Sequence, residues 1–220
     1  MSKLLRPEIH RLTEENQSKI LERAARILQG GGIIVHPTET VYGLATRWDR
    51  EQSLRRVAQI KQRNEAQPFS IMVSQVEQIE EIAGPLPPHI HQFLHQLFPA
   101  PVTVLLPRQK QVSISYWNQF PYLGFRVPQH AFSRALIAKT GISLITTSAN
   151  FSGKPAPKTA EEIEEAIRSQ VDMVIDGGTI PQGIPSTIVR VSEDWSDLTV
   201  VRQGALPLEK ILLFFRPFPH

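Results

Sequence analysis

Between residues 17 and 29 the sequence QSKILERAARILQ places Ile20, Ala24, Ile27 and Leu28 on one face at helical spacing, and Gly30-Gly31-Gly32 then stops the helix. The apolar run 33–35, broken at Pro37, predicts a short buried strand. Leu54, Val57, Ala58 and Lys61 fall on adjacent turns and predict a helix over 51–62, followed by a strand over 69–73. Beyond the acidic stretch 77–81 and the break Gly84-Pro85-Leu86-Pro87-Pro88, HIHQFLHQLF reads as a short amphipathic helix closed by Pro99. Strands are predicted at 102–106, 122–127, 142–146, 187–191 and 198–201, with helices at 130–140 and 159–169. The last of these opens at Thr159, with Glu161 and Glu162 favourably placed against the helix dipole. Helices and strands alternate to about residue 175 and strands dominate afterwards, so the expected fold is α/β, with a mixed parallel and antiparallel sheet covered by helices.

Composition narrows this to one globular domain. The 220 residues suffice for a continuous core, and 41% hydrophobic with 20% charged residues fits neither a disordered nor a fibrous chain. There is no cysteine, which excludes disulfides, thiolate metal sites, iron–sulfur clusters and a cysteine nucleophile. No apolar run approaches the roughly 18 residues of a membrane span, and the N-terminus lacks the apolar core of a signal peptide, so a cytoplasmic protein without membrane contact is expected. The 24 basic and 21 acidic residues leave a net charge of +3, which permits a phosphate or RNA partner without requiring one.

Candidate chemistry is concentrated in a few segments. His36-Pro-Thr-Glu-Thr-Val-Tyr-Gly-Leu44 leaves a buried strand and becomes polar within two residues, either as a ligand loop at a strand end or as a Pro-started turn in which Thr38 or Thr40 caps a helix. Lys61 and Arg63 stand at a helix end, where they complement the dipole or splay to hold a polyphosphate, the Arg as a planar fork and the Lys as a point charge. Thr146-Thr-Ser148-Ala-Asn150-Phe-Ser152-Gly153 packs hydroxyl and amide groups densely after an apolar strand, and such groups need satisfaction from local turns or from a ligand. The stiff, basic Lys154-Pro-Ala-Pro-Lys-Thr159 either covers a bound nucleotide or leads into a helix. Arg126 near a strand end suits a carboxylate, although a surface Arg reads the same; Pro185-Ser-Thr187 starts a strand, Arg202 ends the last one, and Asp176-Gly-Gly178 reads as a turn.

Several familiar sites are absent from the sequence. GxxxxGK[ST] and GxGxxG do not occur, so a nucleotide would need another cradle, and there is no GxSxG or HExxH. His91 and His95 lie at i, i+4 on an apolar, Pro-bounded helix and read as a packed or solvated face, so no metal site is expected.

In order and spacing, HPTETVYGL, KQR, FRVP, TTSANFSG, PSTIV and VRQG resemble the YrdC-like family of threonylcarbamoyladenylate synthases over residues 17–207. The resemblance implies a single twisted domain with a large concave basic cavity, preceded by an N-terminal extension over 1–16 and followed by an apolar tail over 208–220. It also implies the reaction of L-threonine, bicarbonate and ATP to L-threonylcarbamoyladenylate and pyrophosphate, with Mg²⁺ carried by the ATP, in support of threonylcarbamoylation of adenosine 37 of tRNA by separate transfer proteins. By similarity Lys61, Arg63, Tyr122, Ser148, Asn150 and Arg202 hold ATP, with Lys61 and Arg63 catalytic, and Thr38, Arg126, Thr146 and Ser186 hold threonine. Asn64 where Pro is usual, Ala100 where Gly is common and Arg190 where Asp is frequent depart from the family pattern. The length resembles that of the short family form. An RNA-binding module, or a paralogue with diverged chemistry on the same fold, is the competing expectation.

Overall fold

The computed structural model describes residues 7–63, 68–109 and 112–215. Ten strands form one mixed sheet: β1 (Glu8–Arg11), β2 (Ile34–His36), β3 (Gly43–Arg47), β4 (Ser70–Met72), β5 (Val102–Pro107), β6 (Tyr122–Arg126), β7 (Leu144–Ser148), β8 (Met173–Asp176), β9 (Thr187–Val191) and β10 (Leu198–Arg202). Their spatial order is β1-β8-β2-β3-β7-β4-β6-β5-β9-β10. The pairs β1·β8, β2·β8, β4·β6 and β5·β9 are parallel, and the other neighbours antiparallel. The helices are α1 (Gln17–Gln29), α2 (Glu51–Ile60), α3 (Glu77–Ala83), α4 (Pro88–Leu97), α5 (Ala131–Thr140), α6 (Glu165–Arg168) and α7 (Leu208–Leu212). None of the described helices is long and apolar enough to cross a membrane.

Side chains alternate across each strand, so the sheet separates two apolar layers. On one face Ile20, Ala24 and Leu28 of α1 and Phe132, Leu136 and Ile137 of α5 pack on Ile34, Ala45, Met72, Leu144, Met173 and Ile175. On the other face Leu54 and Val57 of α2, Ile79 of α3 and Phe93 of α4 pack on Val35, Leu44, Ile71, Val104, Phe125, Ile145 and Val174. Trp117 and Tyr116, in a 3₁₀ turn over Ser115–Gln119, and Phe120 just after it extend this larger core, and the Trp117 indole donates to Trp48 O at 2.9 Å.

Several elements differ from the sequence expectation. The segment expected as an extension over 1–16 contributes β1, which pairs in register with β8 inside the sheet. Within the expected tail 208–220, Ile211 of α7 is buried and Phe215 packs edge-on against Phe93 at 5.2 Å, while 216–220 lie outside the described residues. The helix expected over 159–169 shrinks to α6, because Glu164 is extended (φ −56°, ψ 136°) and Ala160 and Ile163 reach the core from a turn. The acidic segment 77–81 is helical, since Ile79, Ile82 and Ala83 give it a buried face. β3 and β8 were not expected: Gly43, Ala45 and Thr46 carry too little apolar bulk to mark a strand, and β8, though apolar over its first three residues, lies between a segment read as helix and one read as a turn.

Candidate active site

The layer formed by α1 and α5 covers only part of its sheet face. Met72 and Leu144 lie under it, whereas Ser70 and Thr146, two residues away on β4 and β7 and therefore on the same face, are register partners that line an open cavity of about 500 Å³. Thr103 of β5, Arg126 of β6 and Ile188 of β9 continue this floor. The walls are the Thr38–Val41 loop, the Ser148–Ala156 segment, the end of α2 with Lys61 and Arg63, and Pro185-Ser186 with Arg202. Lys61, Arg63, Arg126, Lys154 and Arg202 line the cavity, and among the described residues no carboxylate lines it.

The placement of Lys61 and Arg63 follows from how α2 ends. Gln62 takes a left-handed conformation (φ 49°), its N–H donates to Gln59 O at 3.0 Å, and the Arg63 N–H donates to Ala58 O at 3.0 Å. This is a Schellman C-cap built on a residue other than glycine. It reverses the chain between the two cations, so that both reach the cavity. Lys61 is only 3% exposed, and its ammonium donates to Ser148 O, to Asn150 O at 2.7 Å and to Asn150 Oδ1 at 3.3 Å. Asn150 Nδ2 in turn donates to Lys154 O, tying the basic loop to the same turn. Burial, and secondarily the nearby Arg63 charge, lowers the Lys61 pKa to about 7. The Arg63 guanidinium lies over the Phe69 ring, 5.2 Å from its centroid, and donates to Pro68 O at 3.0 Å.

At the other end of the cavity Arg126, 5% exposed, donates through Nη2 to Glu39 Oε1 and to Thr40 Oγ1 at 3.1 Å, while its Nε is buried without a partner. Burial by itself would raise the Glu39 pKa, but the charge and hydrogen bond of Arg126, with backbone N–H donors, outweigh it and hold the carboxyl ionised below its usual range. Thr38 closes a tight turn: its hydroxyl donates to Val41 O at 2.7 Å and accepts from the N–H groups of Thr40 (3.1 Å) and Val41 (3.2 Å). The loop therefore uses Thr38 as a turn residue, not as a helix cap. Tyr42, from the same motif, donates to Gly178 O at 2.6 Å and accepts from the Gly177 N–H at 3.0 Å, pinning the Asp176-Gly-Gly178 turn. His36, fully buried at the end of β2, is kept neutral by burial and by neighbouring His130, which lower its pKa to about 3.

Between the two ends, Arg202 donates to Ser186 O through Nη2 at 2.7 Å and through Nε at 3.2 Å, and the Ser186 hydroxyl lies 3.3 Å from Thr103 Oγ1. Gly204 permits this closure, because a Cβ there would collide with the backbone of Pro185 and Ser186.

Nine of the ten expected site residues thus share one cavity: Lys61, Arg63, Ser148, Asn150, Arg202, Thr38, Arg126, Thr146 and Ser186. Tyr122 is not among the lining residues; it lies beyond Gly124 at the start of β6, its ring 5.6 Å from the Arg190 guanidinium. Lys61 lines the cavity and at the same time holds the Ser148–Asn150 turn directly. Sequence reasoning missed Thr40, Ser70, Thr103 and Thr147 as site residues. For Ser70 and Thr103 a signal existed, a hydroxyl interrupting an apolar strand.

Comparison with known proteins places this arrangement. A Methanocaldococcus jannaschii protein is 32% identical over 204 residues, which cover 93% of this chain and 95% of that one. The threonylcarbamoyl-AMP synthase of Pyrococcus abyssi is 31% identical over 86% of this chain, which spans 55% of the longer archaeal protein. The crystal structure of P. abyssi Sua5 complexed with L-threonine superimposes with a TM-score of 0.83 at 30% identity, over 94% of this chain and 59% of the other. The model of the Sua5/YciO/YrdC family, described as "Telomere recombination", matches residues 26–204. This chain, with its paired cations after α2 and its Ser148–Asn150 turn in one cavity, belongs to the Sua5/YciO/YrdC family.

Proposed function

We propose that this protein makes L-threonylcarbamoyladenylate from L-threonine, bicarbonate and ATP, releasing pyrophosphate. The observation that carries this reading is one cavity lined by Lys61 and Arg63 at one end and by Arg126 at the other, so that an anionic triphosphate and an amino-acid carboxylate can lie side by side. Lys61 and Arg63, beside Ser148 and Asn150, suit the triphosphate, and Arg126 suits the carboxylate of an amino acid. Arg202 and Ser186, bonded to each other, mark where the two would meet. That a related protein was crystallised with L-threonine agrees with the second assignment.

The threonine amine adds to the carbon of bicarbonate with loss of water, and an oxygen of the resulting carbamate attacks the α-phosphorus as pyrophosphate leaves. Negative charge grows on phosphate oxygens, so fixed donors and cations lower the barrier without a covalent enzyme intermediate. Among the described residues the cavity lining offers no carboxylate to hold a divalent ion, and Mg²⁺ would enter with the triphosphate as part of the substrate. Lys61 fixes the Ser148–Asn150 turn and adds charge beside it; Arg126, oriented by Glu39 and Thr40, sets the position of the amino acid. The product then passes, in the cytoplasm, to separate proteins that transfer the threonylcarbamoyl group to adenosine 37 of tRNA.

Pyrophosphate release tests the reading. Release from ATP should require threonine and bicarbonate together, with the adenylate detected by mass spectrometry. ATP consumption indifferent to threonine would reject it.

A further inference from the structure

Away from the cavity, α3 and α4 bring two imidazoles and a carboxylate together. His91 and His95 are one helical turn apart on α4, and their ring centroids lie 4.4 Å from each other. α3 runs alongside: Glu77 Oε1 is 3.2 Å from His95 Nε2, and Glu80 Oε2 is 3.8 Å from His91 Nε2. One donor atom each from Glu77, His91 and His95 lie within 4.8 Å of one another.

The geometry points to a surface site for a divalent transition ion of the zinc type, held by Glu77, His91 and His95. Two ligands at about 2.0–2.1 Å from a tetrahedral ion stand about 3.3 Å apart, and the Glu77–His95 separation already has that value. Half-exposed side chains can close the remaining gap by rotation. Two imidazoles with one carboxylate favour zinc and its neighbours over magnesium or calcium, which prefer oxygen ligands throughout. Three protein ligands leave a fourth position for water. Glu80 is placed to support the site from outside: its Oε1 accepts the Leu86 N–H at 3.1 Å, and its Oε2 faces His91. A bound ion would clip α3 to α4. The fold does not depend on it, because Ile79, Ile82, Phe93 and Leu94 already bury these helices in the core. The site shares no residue with the cavity, so it stands independently of the proposed reaction.

The test is titration of the full-length protein with Zn²⁺ against a chromophoric chelator at pH 7.5, with Co²⁺ as a spectroscopic probe. Wild type should bind one ion and show the visible absorption of tetrahedral cobalt, and H91A/H95A should bind at least about tenfold more weakly. Zn²⁺ should raise the melting temperature of wild type and not that of the double variant. E77Q, which keeps both imidazoles, separates site loss from misfolding and should weaken binding while the circular dichroism spectrum stays native. Equal Zn²⁺ affinity in wild type and H91A/H95A, or binding unaffected by E77Q, would overturn the proposal and leave these contacts as ordinary surface ion pairs.

Discussion

Lys61 and Arg126 are both almost fully buried at opposite ends of one cavity, yet Lys61 meets only carbonyl and amide oxygens whereas Arg126 meets the Glu39 carboxylate. Dipoles orient an ammonium without cancelling its charge, so burial still lowers the Lys61 pKa to about 7 and that end of the cavity gains from an arriving anion. A carboxylate partner cancels the charge of Arg126 before any substrate arrives. In the proposed reaction the threonine end is thus charge-compensated in advance, and a substrate carboxylate must compete with Glu39 for Arg126. Two cations of similar burial therefore differ in how much of their charge is left for a ligand.

The strongest way to break this contrast is K61M. Removing a preorganised cation at a site of growing phosphate charge should lower kcat/KM for ATP by about 10²–10³-fold. The three acceptors of Lys61 lose their donor, so stability should also fall, by about 1–3 kcal/mol, more than for a solvated cation at a helix end. Steady-state kinetics with a thermal melt measure both, and near wild-type turnover in a folded K61M protein would remove Lys61 from the mechanism.

E39Q probes the charge-compensated end. Losing the charge of one partner in a buried pair should cost about 3 kcal/mol of stability, while the uncancelled Arg126 should bind threonine more tightly, by up to about tenfold. Chemical denaturation and threonine titration read the two effects, which have opposite signs. Weaker threonine binding would instead make Glu39 a positioning residue for Arg126.

A subtler difference concerns protons. With its pKa near 7, Lys61 is mostly neutral at pH 8 in the free protein, and a bound triphosphate favours the charged form. Nucleotide binding at pH 8 should therefore take up about one proton, seen as a calorimetric enthalpy that varies with the ionisation heat of the buffer, and K61R should abolish it. A buffer-independent enthalpy in wild type would contradict the lowered pKa. The same shift sets a stability profile: between pH 7 and the unfolded value of about 10.5 the native state holds fewer protons, so the burial penalty on Lys61 is full below pH 7 and is relieved as pH rises through that window.

The smallest effect is expected at Gln62. Its left-handed backbone is strained for a residue with a Cβ, so Q62G should raise stability by about 0.5–1 kcal/mol after allowing for the extra freedom of glycine in the unfolded chain. A denaturant midpoint that moves down instead would show that the Gln62 side chain outweighs the strain at the cap.

From the sequence alone, periodicity located α1, α2, α4 and α5 within a few residues, and the order of motifs selected nine residues that share one cavity. These features are local: an apolar stripe every three to four residues, a glycine stop, a dense run of hydroxyls. Which partner each charged group meets was not local. Glu39 and Arg126 are 87 positions apart, and so are Lys61 and Ser148, so their pairing depends on sheet order, which brings β7 between β3 and β4 and β4 next to β6. Strands such as β1 and β3 were hidden because their pairing comes from neighbours and not from their own apolar content. The sequence determined which charged and polar groups are available to a site; tertiary structure decided which of them are cancelled by a formal charge and which are left to a ligand, because that balance depends on burial and on the atom across the gap.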